Sequence, residues 1–214
     1  MARFHTAVFD LDGTLLNTLG DLTDSVNHVL AAHEYPLRKE EEIRRFVGNG
    51  SKLLILRSLP EGTDPQRAED LHNEYLEWYS AHNQIRTAPY EGIVSLLTEL
   101  KQRGVAMAVV SNKGDRQVKP LTRQYFPQID YAVGERPSIA KKPAPDSILE
   151  AMKALGADPE TTLYVGDSEV DIETARNAGI TAVSVTWGFR DEDELAARFP
   201  DFIFRTPEEL LPLF

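Results

Sequence analysis

The chain has 214 residues and no cysteine. Disulfides, thiolate metal sites and cysteine nucleophiles are thereby excluded, and a cytoplasmic location is expected. No apolar run approaches the length of a membrane span. No signal peptide is expected, because the apolar run Ala7-Val8-Phe9 is short and Asp10 interrupts it. Positive charge is scarce: 23 Lys and Arg stand against 34 Asp and Glu, a net charge of -11. Nucleic acid and anionic membranes are therefore poor partners. Small anions are not excluded, since a metal ion or a few local cations can reverse the sign inside a cleft. The sequence also lacks repeats and low-complexity tracts.

What is there is ordinary globular material, 42% hydrophobic and 27% charged. Short Val-rich runs recur at Thr6–Phe9, Ala106–Val110, Tyr131–Val133, Leu163–Val165, Ala182–Val185 and Phe202–Phe204. They alternate little, as strands buried on both faces should. Amphipathic helical patterns lie between them. Ile93, Leu96, Leu97 and Leu100 form one stripe, ended by Gly104; Ile148, Met152 and Leu155 form another, ended by Gly156. Strands alternating with helices predict an α/β fold, a Rossmann-like three-layer core with a mostly parallel sheet.

One interval breaks the rhythm. From Leu15 to about Ile85 no strand is expected, whereas Leu22, Val26, Val29 and Leu30 keep helical spacing and Asp64-Pro65 starts a further helix. The expected organisation is a catalytic core of residues 1–14 and 86–214, with 15–85 as an inserted all-helical cap. Insertions at loops are where lids and specificity elements sit.

In an open parallel sheet, ligands bind beyond the carboxyl ends of the strands. There the chain places Asp10-Leu11-Asp12-Gly13-Thr14, Ser111-Asn112-Lys113-Gly114, Lys141-Lys142-Pro143 and Gly166-Asp167-Ser168-Glu169-Val170-Asp171. Strand periodicity puts Asp10 and Asp12 on one side, and a helix starting between Asp167 and Asp171 puts those two on one face. Taken singly, each segment has a plain reading: a turn, a helix cap at Ser111, a surface lysine at Lys142, first-turn acids at Asp167 and Asp171. Jointly they gather four carboxylates, a hydroxyl and a lysine at one edge. Carboxylates so crowded repel, and a hard divalent cation resolves the conflict. Oxygen ligands without histidine or thiolate favour Mg²⁺.

These segments resemble the four motifs of the haloacid dehalogenase superfamily of phosphohydrolases, and the helical insertion resembles that family's cap. The resemblance implies a Mg²⁺-dependent phosphatase. It makes Asp10 the nucleophile and a metal ligand. Asp12 becomes the general acid and base, lending its backbone carbonyl to the metal. Ser111, Lys142 and the loop at Asn112 hold phosphoryl oxygens. Asp167 ligates the metal, while Asp171 orients the cluster and pairs with Lys142; Thr14 supports them. In the insertion, Gly48-Asn49-Gly50-Ser51-Lys52 resembles the cap loop of phosphoglycolate phosphatases, which implies substrate contact by Asn49, Gly50 and Lys52. Thr186-Trp187-Gly188 resembles the same relatives, although Trp187 reads first as a core aromatic. The five histidines form no ligand pattern.

The leading expectation is hydrolysis of a small phosphorylated metabolite through an aspartyl phosphate, with phosphoglycolate the first substrate to test. Inorganic pyrophosphatase, nucleotide or sugar phosphatase and hexose-phosphate mutase are alternatives within the family. A receiver-type phospho-acceptor domain is the alternative from a different class, but it has no general acid two residues after the nucleophile. The partner is the metabolite itself, and the protein is expected to be a monomer or homodimer.

Overall fold

A computed structural model describes residues 3–214. In chain order the elements are β1 (Thr6–Phe9), β2 (Leu16–Asn17), α1 (Leu19–Ala32), α2 (Glu40–Phe46), α3 (Ser51–Ser58) and α4 (Pro65–His82). There follow β3 (Ala88–Pro89), α5 (Ile93–Gln102), β4 (Ala106–Gly114), α6 (Asp115–Tyr125), β5 (Tyr131–Glu135) and α7 (Asp146–Leu155). Next come β6 (Thr162–Gly166), α8 (Glu169–Ala178), β7 (Thr181–Val185), α9 (Glu192–Ala196) and β8 (Phe202–Phe204), with short 3₁₀ helices at Pro159–Thr161 and Pro207–Leu213. It divides into two compact units, residues 1–16 with 89–214, and residues 17–88.

The first unit is built on a six-stranded sheet of order β5-β4-β1-β6-β7-β8. Every neighbouring pair runs parallel. Strand periodicity sends alternate side chains to opposite faces. Phe9, Met107, Val109, Leu163 and Val165 pack on one face with Ile93, Leu97 and Leu100 of α5 and Leu121 of α6. Val8, Ala108, Val110 and Tyr164 pack on the other with Ile148 and Met152 of α7 and Ile172 of α8. The layers are therefore helix, sheet, helix. Each fully buried Val, Leu or Phe contributes about 1.5–3 kcal/mol, and the central strands are buried on both faces.

The strand order places β1 between β4 and β6, and so brings the ends of all three together. The register is tight there: Phe9 is level with Val109 and Val165, and the Asp10 N–H donates to the Val165 carbonyl at 2.9 Å. The strand expected to end at Val110 runs further, and the plain reading of Ser111 as a helix cap does not hold. Strand β4 continues through Ser111, Asn112 and Lys113, with an irregular register between Val110 and Gly114, and α6 starts only after Gly114. Pairing with β5 flanks the segment, at Ala108–Val110 on one side and at Gly114 on the other.

The second unit is helical, α1 to α4 around a core of Val26, Leu30, Ile43, Leu54, Leu71 and Tyr75. Asp64 caps α4 by accepting the N–H groups of Gln66 and Arg67. The buried Asp21 carboxylate accepts N–H groups of Ile85, Arg86 and Thr87 at 2.8–3.1 Å, which ties the start of α1 to the segment after α4. The interval read as strand-free holds one exception, the two-residue β2.

Candidate active site

Asp10 extends β1 by one residue and is 8% exposed. One of its carboxylate oxygens, Oδ1, is buried without a hydrogen-bond partner. The Lys142 Nζ lies 3.0 Å from it, an ion pair outside hydrogen-bond alignment. Asp167 follows β6 and is buried. Its Oδ1 accepts the Thr14 hydroxyl at 2.9 Å, and its Oδ2 accepts the Phe189 N–H at 2.8 Å. Asp171 lies in the first turn of α8. Its Oδ1 accepts Lys142 Nζ at 2.7 Å and the Tyr164 hydroxyl at 3.0 Å, and its Oδ2 accepts the N–H and hydroxyl of Ser168 at 3.1 and 2.6 Å. Among the described residues, oxygens of Asp10, Asp167 and Asp171 lie within 4.8 Å of one another.

Electrostatics show what this crowding costs. Burial first, then the neighbouring charges of Asp171 and Asp12, push Asp10 up to about 7 against the pull of Lys142. Burial, Asp171 and Asp10 push Asp167 up to about 8, although Phe189 and Thr14 favour its charged form. Burial alone would depress Lys142, but Asp10 and Asp171 outweigh it and raise its pKa, so the ammonium stays charged. Buried as they are, three carboxylates are not balanced by one ammonium, which is why two of them resist ionising. The Asp10 oxygen, which has an ion pair but no hydrogen bond, and the single acceptor contacts on each Asp167 oxygen leave lone pairs for a cation. Asp171 is already fully engaged through both oxygens. The donor set is thus suited to a hard divalent metal held by Asp10 and Asp167.

The Asp12 side chain does not join this cluster. Lys113 Nζ meets both its oxygens, at 2.9 and 3.1 Å, a contact the sequence reading did not anticipate. The Asn112 amide is also spent elsewhere: its Nδ2 donates to the Lys142 carbonyl at 3.1 Å and its Oδ1 accepts the Lys142 N–H at 2.9 Å. The Asn112 side chain therefore holds Lys142. Ser111 is buried at the same strand end, its Oγ accepting the Lys113 N–H at 3.3 Å. Trp187 packs partly buried against the core, and its Nε1 donates to the Thr14 carbonyl at 2.9 Å. Gly13 and Gly188 make the close packing possible. Gly13 has φ +86°, and a Cβ there would stand 2.3 Å from Asp167 Oδ2; a Cβ at Gly188 would stand 2.4 Å from Asp167 Cβ.

In the helical unit, Gly50 has φ +89° and precedes α3. Asn49 is half-buried. Lys52 pairs with Glu69 at 2.5 Å, both well exposed, and the Ser51 hydroxyl meets His72 Nε2 at 2.9 Å.

A parallel sheet whose strand ends gather carboxylates, a buried lysine and hydroxyls is suited to phosphoryl transfer. Residues 7–185 match the family of haloacid dehalogenase-like hydrolases. Phosphoglycolate phosphatase 1 of Pseudomonas aeruginosa is 34% identical over 215 residues, covering 96% of this chain and 78% of that protein. N-acetylmuramic acid 6-phosphate phosphatase of the same organism is 32% identical, covering 98% and 94%. A solved structure from Lactobacillus delbrueckii subsp. bulgaricus superposes with a TM-score of 0.92 at 33% identity, covering 98% of this chain and 97% of that one. The chain belongs to the haloacid dehalogenase-like hydrolases. No helix among the described residues is long and apolar enough to cross a membrane.

Proposed function

We propose that this phosphatase hydrolyses a small phosphorylated metabolite, phosphoglycolate first, with Mg²⁺ held by Asp10, Asp167 and the Asp12 main-chain carbonyl. The observation that carries the reading is the Asp10 carboxylate. It is buried at a strand end, has one oxygen free of hydrogen bonds, and sits beside a charged lysine. When bound, Mg²⁺ supplies the positive charge that lets the carboxylates ionise together and that neutralises the transferring group.

The residues divide the work as follows. An Asp10 oxygen attacks phosphorus in line, the bond to the leaving oxygen breaks, and Asp12 delivers a proton to that oxygen. A water then attacks the aspartyl phosphate, Asp12 takes its proton, and the bond to Asp10 breaks, releasing phosphate. To serve as acid, Asp12 must first part from Lys113. Lys142 and Ser111 hold the phosphoryl oxygens, and Lys142 offsets charge growing on them. The helical unit is the lid, and Asn49, Gly50 and Lys52 are its specificity elements.

The relative acting on N-acetylmuramic acid 6-phosphate supports a sugar phosphate as second candidate. A panel assay of kcat/KM on phosphoglycolate, N-acetylmuramic acid 6-phosphate, pyrophosphate, a nucleoside monophosphate and glucose 6-phosphate decides between them. The highest value is expected on phosphoglycolate. A higher value on any other member replaces the substrate. One stoichiometric phosphorylation without turnover removes the enzyme reading in favour of a receiver-type acceptor.

A further inference from the structure

Lys142 is buried, and its ammonium has three N–H groups to place. One goes to Asp171 Oδ1 at 2.7 Å and one to the Tyr164 hydroxyl at 2.8 Å. The remaining side of the ammonium faces Asp10 at 3.0 Å. Tyr164 comes from the middle of β6, level with Val8 of β1, and its ring lies in the core among Val8, Ala108 and Val110. Only its hydroxyl reaches the strand ends. Because that oxygen accepts from Lys142, its own proton goes to Asp171 Oδ1 at 3.0 Å or to the Val110 carbonyl at 3.3 Å. The arrangement is a closed triangle of ammonium, phenol and carboxylate in a place without solvent. Asn112 pins the lysine's main chain; Tyr164 and Asp171 pin its tip.

From this geometry we infer that Tyr164 is a positioning residue for phosphoryl transfer. Its hydroxyl takes one ammonium proton out of play and thereby turns the free side of Lys142 toward Asp10 and the group that Asp10 attacks. A leucine or phenylalanine would fill the core equally well, so packing alone does not account for a hydroxyl at this point. The inference rests on the functional reading above for the step that Lys142 assists. Electrostatic donors contribute most when they are aimed before charge develops. Loss of the hydroxyl leaves the ammonium short of one acceptor and free to turn between Asp171 and Asp10.

The test is Tyr164→Phe, which keeps the ring. With p-nitrophenyl phosphate and Mg²⁺, kcat is expected to fall about ten- to a hundredfold, the scale of one hydrogen bond to a charged group, while KM moves less than about threefold. Inhibition by orthovanadate, which resembles the transition state, weakens in step with kcat/KM, and inhibition by inorganic phosphate weakens much less. Circular dichroism and the thermal midpoint establish that the variant is folded under assay conditions. If Tyr164→Phe does not fold, Tyr164→Met takes its place with the same expectation. A kcat within threefold of wild type overturns the inference. So does a loss shared equally by orthovanadate and phosphate, or failure of both variants to fold, since the hydroxyl then serves the fold. Inactivity of the wild-type enzyme on every phosphomonoester overturns the functional reading instead, and the two failures are distinct.

Discussion

Two lysines, Lys142 and Lys52, face carboxylates at similar distance, and the difference between their surroundings is the difference between a site and a surface. Lys142 has a side chain 3% exposed and lies 2.7 Å from Asp171 and 3.0 Å from Asp10. Lys52 has a side chain 62% exposed and meets Glu69 at 2.5 Å. Water and salt screen the second pair, and holding two flexible side chains together costs entropy. No such screening reaches the first. Burial makes each charge there depend on its neighbours, so that Asp10 and Asp167 resist ionisation while Lys142 resists losing its proton. Distance alone does not distinguish the two pairs; solvent does.

The sharpest way to break the comparison is Asp10→Asn. Turnover should fall at least ~10⁴-fold, because the amide cannot form the acyl phosphate. The same change removes a reluctant charge, so at pH 8 without metal the thermal midpoint should rise. Retained turnover removes Asp10 as nucleophile, and a lowered midpoint shows that its pairing with Lys142 outweighs the burial.

A second test uses pH and metal. Unfolded aspartates ionise near pH 4, whereas folded Asp10 and Asp167 keep their protons to about 7 and about 8. Across that interval the folded state binds more protons than the unfolded one, so stability falls as pH rises. Lys142 has a raised pKa and loses its contribution only at high pH, outside this window. In EDTA the protein should be more stable near pH 5 than near pH 8, by at least the ~1.4 kcal/mol that one pK unit represents. Mg²⁺ should stabilise it more at pH 8 than at pH 5, and restore activity that EDTA removes. Denaturant midpoints at the two pH values measure this, and a metal effect independent of pH would defeat the electrostatic account.

The smallest effect belongs to the surface pair. Lys52→Ala should shift the thermal midpoint by under ~2 °C, as exposed pairs do. It should leave p-nitrophenyl phosphate turnover nearly intact while changing the preference among natural substrates. Equal losses on every substrate would take Lys52 out of the specificity role.

The alternation of Val-rich runs with amphipathic helices determined a parallel α/β sheet, because hydrophobic periodicity is a local property that each segment carries alone. The carboxylates at Asp10, Asp167 and Asp171 were legible too, since ligands meet such sheets at their strand ends. The partners were not. That the Asn112 amide holds the Lys142 main chain, that Lys113 grips Asp12, and that a strand tyrosine lends its hydroxyl to the same lysine depend on side chains 22 to 101 residues apart. The end of β4 was not legible for a related reason: the strand runs past Val110 to a further pairing of Gly114 with Glu135 of β5, a long-range contact that no local preference at Ser111 reports. The residue types set which chemistry was available. Only the packed sheet decided which oxygen was left without a hydrogen bond, because burial removes water as an alternative and makes every polar contact count.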